Sequence, residues 1–335
     1  MKVTVIGAGS WGTALAMVLA QAGNEVKIWA RETPIVKNIN NSHKNGVYLP
    51  GITLPASIKA HGSLKEALPG AEIVVFATPS HTVRNLAERA KPCLSGSEVI
   101  VNVAKGIENE TYMTMTQVLA EVLEGCIIED HIGVLYGPSH AEEVSLLKPT
   151  TVVSAANSKS TAKIIQNAFM TPMFRVYVNN DVLGVEVAGS VKNILAIAAG
   201  IVEGLDLGDN ANAALLTRGL AEMKRLGMRL GASQDTFSGL AGIGDLIVTC
   251  TSRHSRNRYV GYQIGKGEKL NDIVSRMEMV AEGINTTKSV YKWSQKLKVD
   301  MPITEHVYNV LFEGANPRNA AYDLMTRDPK EEILI

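Results

Sequence analysis

Cysteine is scarce in this sequence, three in 335 residues, and Cys93, Cys126 and Cys250 are widely spaced with no CxxC pair. An odd, scattered set excludes a disulfide framework and fits reduced thiols in a cytosol, so a cytoplasmic protein is expected. Excess charge is missing as well: 33 Lys and Arg balance 33 Asp and Glu. With aromatic residues at 5% and no basic stripe, no nucleic-acid partner is expected. The seven histidines form no HxxxH or HExxH spacing, which leaves no metal site to expect. Long apolar runs are lacking; Ile194 to Val202 is far too short to span a bilayer, so no membrane span is expected. Met1-Lys2 leads directly into strand-like residues, with no signal peptide expected, and no repeat or low-complexity segment follows. What remains is 46% hydrophobic residues on a chain long enough for two buried cores and two domains.

The most informative stretch opens the chain: Val3-Thr-Val-Ile-Gly7-Ala-Gly9-Ser-Trp-Gly12. A β-branched run predicts a buried strand, Thr13 to Ala22 predicts a helix ending at Gly23, and Val26 to Trp29 predicts a second strand. In that context the glycines have separate tasks. Gly7 permits the strand-to-helix turn, Gly9 lets backbone approach a pyrophosphate, and Gly12 allows close helix–strand packing. Free amides and the dipole at the helix start favour anionic phosphates. An NAD site usually places an acid after the second strand; here Arg31 stands there and could face a 2′-phosphate, tilting the reading toward NADP.

Strand-like segments continue at Glu72 to Ala77, Glu98 to Val103, Ile132 to Tyr136, Thr151 to Ala155 and Phe174 to Val178. Helical segments lie between several of them, at Pro79 to Lys91, Thr111 to Leu123 and Ser160 to Phe169. This alternation predicts an α/β domain over residues 1–180, a Rossmann-type parallel sheet with helices on both faces. Its ligand rim falls at the carboxyl ends of the strands, which selects Thr78-Pro79-Ser80, Ala104-Lys105-Gly106 and Gly137-Pro138-Ser139. From Asp181 the pattern becomes helical with no convincing strand, predicting an all-α domain over residues 181–335 and a cleft between the two. Val185 to Glu203 is apolar nearly all round and should be buried.

Lys192 is almost alone as a charge inside that helix. Desolvation lowers a buried lysine's pKa, and a lysine so tuned can take a proton near neutral pH; the alternative is an ion-paired structural lysine. Lys105, at a strand's carboxyl end before Gly106, could polarise a carbonyl or hold an anion, or be an exposed loop residue. Gly239-Leu-Ala-Gly242-Ile-Gly244-Asp245 reads as a tight corner presenting Asp245, either to a substrate or lysine or as a helix cap. Ser255-Arg256-Asn257, just before a helical stretch, suits a phosphate dianion, against the alternative of a solvated basic loop.

Together these segments resemble the soluble, bacterial-type NAD(P)-dependent glycerol-3-phosphate dehydrogenases. The resemblance rests on Gly7-Ala-Gly-Ser-Trp-Gly12, Ala104-Lys-Gly-Ile-Glu108, Gly137-Pro-Ser139 and Lys192-Asn-Ile-Leu-Ala-Ile-Ala-Ala-Gly200. It continues through Thr217-Arg-Gly-Leu-Ala-Glu-Met223, Gly239 to Cys250, Ser255-Arg-Asn-Arg258 and Val280-Ala-Glu-Gly-Ile-Asn-Thr-Thr287. It implies reversible hydride transfer between NADPH or NADH and dihydroxyacetone phosphate, giving sn-glycerol 3-phosphate for phospholipid synthesis, by a homodimer. It places Lys192 as proton acceptor and puts Lys105, Gly137, Ser139, Asp245, Ser255, Arg256 and Asn257 at substrate positions. Ser10, Trp11, Arg31, Lys105, Ala141, Arg256, Val280 and Glu282 fall at cofactor positions. One departure is His140, where the family usually carries Phe, which bears on packing near the cofactor. The rivals are a related dehydrogenase of 3-hydroxy or sugar acids, and a non-catalytic sensor of cofactor redox state.

Overall fold

The computed structural model describes residues 1–277, 279–329, 331 and 332. Up to residue 180 the elements are β1 (Lys2–Ile6), α1 (Ser10–Gln21), β2 (Glu25–Trp29), α2 (Thr33–Ser42), β3 (Lys59–His61), α3 (Leu64–Ala67) and β4 (Ile73–Phe76). They continue with α4 (Val83–Ala90), β5 (Val99–Asn102), α5 (Met115–Leu123), β6 (Ile132–Tyr136), α6 (Ala141–Ser145), β7 (Thr150–Ala156), α7 (Lys159–Phe169) and β8 (Phe174–Asn179). These strands form one sheet in the order β3-β2-β1-β4-β5-β6-β7-β8. Central strands such as β4, β5 and β6 are buried along their whole length, because helices cover both faces. Their Val- and Ile-rich runs are what a doubly covered parallel strand needs.

The expected parallel sheet requires one correction: β6 and β7 pair antiparallel, Tyr136 opposite Val153. The chain leaves β6 at the carboxyl rim and returns down the sheet after only the short α6, so β7 runs the other way; β8 then pairs parallel to β7. Several elements escaped the sequence reading, among them β3 and α2. The Lys-Ala-His strand β3 has no apolar alternation, and α2 carries only Ile35 and Ile39 as buried residues. The strand order reverses between β1 and β4, which sets a ligand crevice outside their carboxyl ends.

After β8 come α8 (Val182–Gly204), α9 (Gly208–Arg229), α10 (Asp245–Thr251), α11 (Arg256–Gly265), α12 (Leu270–Ser275), α13 (Glu282–Leu297), α14 (Pro302–Phe312) and α15 (Pro317–Met325). No strand follows β8 among the described residues. Asp181 caps α8 by accepting from the Gly184 amide, so the helix starts earlier than its apolar run suggests. At 23 residues α8 is long and apolar enough to cross a membrane by length and composition, yet it is the buried axis of the helical half. Glycines let α11 lie almost backbone to backbone against it. A Cβ on Gly261 would fall 1.9 Å from the Ile197 carbonyl oxygen, and one on Gly200 2.0 Å from that of Arg258. Elsewhere in this half the buried Glu222 of α9 caps α14, accepting from the Ile303 amide at 2.5 Å and the Thr304 amide at 3.2 Å.

Candidate active site

At the crevice, Gly7 has φ +117°, and a Cβ there would lie 2.5 Å from the Ala77 carbonyl oxygen. A Cβ on Gly12 would lie 2.0 Å from the Gly7 oxygen, so α1 packs as close to β1 as backbone allows. Gly9 differs: nothing lies within 4 Å of the position its Cβ would take. That open space faces the start of α1, which has no side-chain cap and no acid in its first turn. The positive end of the helix is therefore free, and these residues fit a dinucleotide pyrophosphate. Ser10 is buried with its hydroxyl on the Met279 sulfur at 3.8 Å, and Trp11 packs on the sheet core. Ala141 begins α6, and Val280 lies exposed just before α13. Glu282, the first residue of α13, accepts from the Ser80 amide at 3.2 Å and hydroxyl at 2.5 Å. Arg31 follows β2 with an exposed side chain paired to Glu32 at 2.8 Å.

Beyond the crevice the two halves meet in a row of charge. Lys192 of α8 is buried, and its Nζ donates to Asp245 Oδ1 at 2.7 Å and Thr249 Oγ1 at 2.6 Å. The other Asp245 oxygen accepts from Lys105 Nζ at 2.6 Å, and Lys105 also donates to the Gly137 carbonyl at 3.2 Å. Asp245 is the first residue of α10, not its N-cap, and is itself buried. Burial pushes its carboxyl up, but the two ammonium groups outweigh that and hold it below the usual range. Burial also pushes Lys192 down, opposed by Asp245 and reinforced by the Lys105 charge, to about 8. Thr249 donates its one hydroxyl hydrogen to the Asp245 carbonyl at 2.6 Å, so toward Lys192 it acts as acceptor. Two of the three Lys192 hydrogens are thereby engaged within the described residues.

Beside Lys192, Asn193 Oδ1 accepts from Asn257 Nδ2 at 3.0 Å, and Asn257 Oδ1 accepts from the Gly283 amide at 2.9 Å. Asn257 thus ties the start of α11 to α8 and α13. Ser255 is the N-cap of α11, accepting from the Arg258 amide at 3.2 Å. Arg256, the first residue of that helix, reaches solvent among protein neighbours; desolvation pulls its pKa down against the pull of Glu282 and Glu142. Ser139 donates to the Gly137 carbonyl at 3.0 Å and holds that turn. His140 leans toward the charge row: its Nε2 is 3.5 Å from the Val248 carbonyl and its ring 5.9 Å from that of His254. Burial and the Lys192 charge lower its pKa.

Thr249 was missed by the sequence reading, although it carries a local signal, one helical turn after Asp245. Ser80 falls on the expected rim, but its bond to Glu282, 202 positions away, leaves no signal in the sequence.

A nucleotide-ready crevice beside a buried lysine–carboxylate–lysine row defines a two-part oxidoreductase that works with a dinucleotide. The N-terminal model of the NAD-dependent glycerol-3-phosphate dehydrogenases matches residues 2–162, and the C-terminal model matches 181–322. The chain belongs to this family, whose cofactor is NAD or NADP. It is 54% identical over 333 residues to a glycerol-3-phosphate dehydrogenase [NAD(P)+] of Chlorobium phaeobacteroides (strain BS1), covering 99% of each chain. With a Salinibacter ruber relative of the same name it shares 52%, covering 99% of this chain and 96% of that one. The crystal structure of glycerol-3-phosphate dehydrogenase from Coxiella burnetii superposes with a TM-score of 0.92 at 39% identity, over 97% of this chain and 99% of that one.

Proposed function

We propose that Lys192 takes and returns the proton at the C2 oxygen as this chain interconverts dihydroxyacetone phosphate and sn-glycerol 3-phosphate. The observation that carries this reading is the Lys105–Asp245–Lys192 row, with Lys192 buried and its pKa drawn down by that burial to about 8. The dinucleotide, when bound, supplies the hydride in reduction and takes it in oxidation. Gly7, Gly9 and Gly12 with Ser10 and Trp11 would hold its phosphates, and Arg31, Ala141, Val280 and Glu282 the rest of the crevice.

At the other end, Ser255, Arg256 and Asn257 receive the substrate phosphate at the start of α11, where an arginine fork and free amides suit a dianion. Anchoring the phosphate fixes C2 beside Lys192, which removes the entropy of bringing them together. In oxidation neutral Lys192 accepts the C2 hydroxyl proton through the Nζ position that Asp245 and Thr249 leave free. In reduction the ammonium returns it to the forming alkoxide. Lys105 stabilises negative charge on the reacting oxygen, and Gly137 and Ser139 shape the turn that aims it. Asp245 keeps both lysines oriented.

The same reading assigns residues 1–180 to the nucleotide and 181–335 to the substrate, supported by the gap between the two matched segments. It places the enzyme in the cytoplasm, in keeping with three free cysteines, as a homodimer that sedimentation would reveal. The deciding assay follows nicotinamide absorbance with purified protein, dihydroxyacetone phosphate, and NADH or NADPH in parallel. Decay that requires the phosphate ester is expected, and the ratio of the two rates tests Arg31. No decay with either cofactor would overturn the reading.

A further inference from the structure

Tyr136 closes β6 and is fully buried, yet nothing in the chemistry above calls for a phenol there. Its hydroxyl donates to the Ala104 carbonyl and accepts from Asn102 Nδ2 at 2.9 Å. Asn102 completes the ring of bonds: Nδ2 donates to the same carbonyl at 2.9 Å, and Oδ1 accepts from the Ala104 amide at 3.1 Å. Both polar faces of the residue preceding Lys105 are therefore pinned. The Tyr136 ring in turn lies beneath the Lys105 ammonium, 5.5 Å from ring centroid to Nζ. Its opposite constraint is α8, which reaches the ring through Gly189; a Cβ there would fall 2.6 Å from Tyr136 Cδ2. Gly189 and Lys192 are three residues apart and share a helix face.

We infer that Tyr136 is a positioning residue for the reaction: anchored by Asn102, it aims Lys105 at Asp245 and spaces it from Lys192 on α8. Three independent contacts converge on this function. The hydroxyl sets the backbone before Lys105, the ring face carries the ammonium, and the ring edge meets the helix that bears the proton acceptor. The inference rests on the role of Lys105 given above.

The test is a double-mutant cycle between positions 136 and 105, assayed with dihydroxyacetone phosphate and NADPH. Tyr136→Phe keeps the ring and loses the anchor; kcat should fall about fivefold, the worth of one neutral hydrogen bond. Tyr136→Leu also loses the ring, and kcat should fall about thirtyfold in all, the further sixfold or so being the worth of a partly exposed cation–π contact. In both, KM for NADPH should stay unchanged. On a Lys105→Ala background each change should add almost nothing. In Tyr136→Leu the Lys192 limb of the pH profile should move upward, because a released Lys105 no longer depresses it. Fully additive losses, or a fall in kcat with an unmoved limb, would overturn the inference; should the leucine variant not fold, the phenylalanine cycle decides alone. A Lys192→Ala protein that keeps its turnover would sink the proton-acceptor reading, whereas the cycle measures Tyr136–Lys105 coupling whichever group moves the proton.

Discussion

The two glycine-rich corners of this protein, Gly7 to Gly12 and Gly239 to Gly244, look alike as sequence and do opposite things. The first leaves room: Gly9 faces open space at an uncapped helix start, so what this corner offers a ligand is main chain. The second is filled. A Cβ on Gly242 would fall 2.0 Å from the Phe237 carbonyl oxygen, and the corner delivers a side chain, Asp245, between two lysines. One half offers free backbone amides and the other presents buried charge. What distinguishes the corners is therefore whether space or a carboxylate lies at the end of the turn.

Lys192→Ala is the hardest blow to the charged corner. It should cost about a thousandfold in kcat, typical for a general acid–base, while leaving cofactor binding intact by fluorescence titration. Near-normal turnover would show the row to be merely structural. Next, Arg256→Ala should raise KM for dihydroxyacetone phosphate about a hundredfold by removing charge-assisted bonds to the phosphate. An unchanged KM would point to a substrate without that group. At the open corner, Gly9→Val should weaken NADPH binding about tenfold with an unaltered melting curve, since the added methyls meet ligand and not protein. If the melting temperature dropped instead, the space there would belong to the fold.

The smallest effect tests buried charge used for architecture alone. Burial pushes Glu222 up to about 7 against the bonds it accepts from the start of α14. A raised folded pKa means stability is fully present below the ordinary carboxylate range and is lost as pH rises toward about 7. Melting temperature should fall by a few degrees, roughly 2–4 °C, over that window, and Glu222→Gln should flatten the slope. An identical slope in the variant would assign the dependence to other groups.

Much of this was legible in the sequence because it is local. The fingerprint glycines, the alternation of strand and helix, and the small-residue helix around Lys192 each declare themselves within a few turns of chain. Lys105, Asp245 and the Ser255–Asn257 cap could be singled out one by one. Their assembly could not, since Asp245 lies 140 residues from one lysine and 53 from the other. Register across such gaps is set by packing, and no periodicity records it. The same holds for the reversal at β7, where the residues of a parallel and an antiparallel strand are alike and only the length of the connection differs.

The close seating of α11 on α8 has a consequence for what this enzyme can accept. One helix carries Lys192, the proposed proton acceptor, the other begins with Arg256, the proposed phosphate anchor, and their backbones touch. The backbones from which anchor and acceptor project are thus held at a fixed spacing by main-chain contact. On the proposed mechanism, a phosphorylated ketone with one more carbon between phosphate and carbonyl would carry its carbonyl past Lys192, with neither helix able to draw back. Under that reading, discrimination by chain length would begin in the glycines of a helix pair, before any group touches the substrate's hydroxyls.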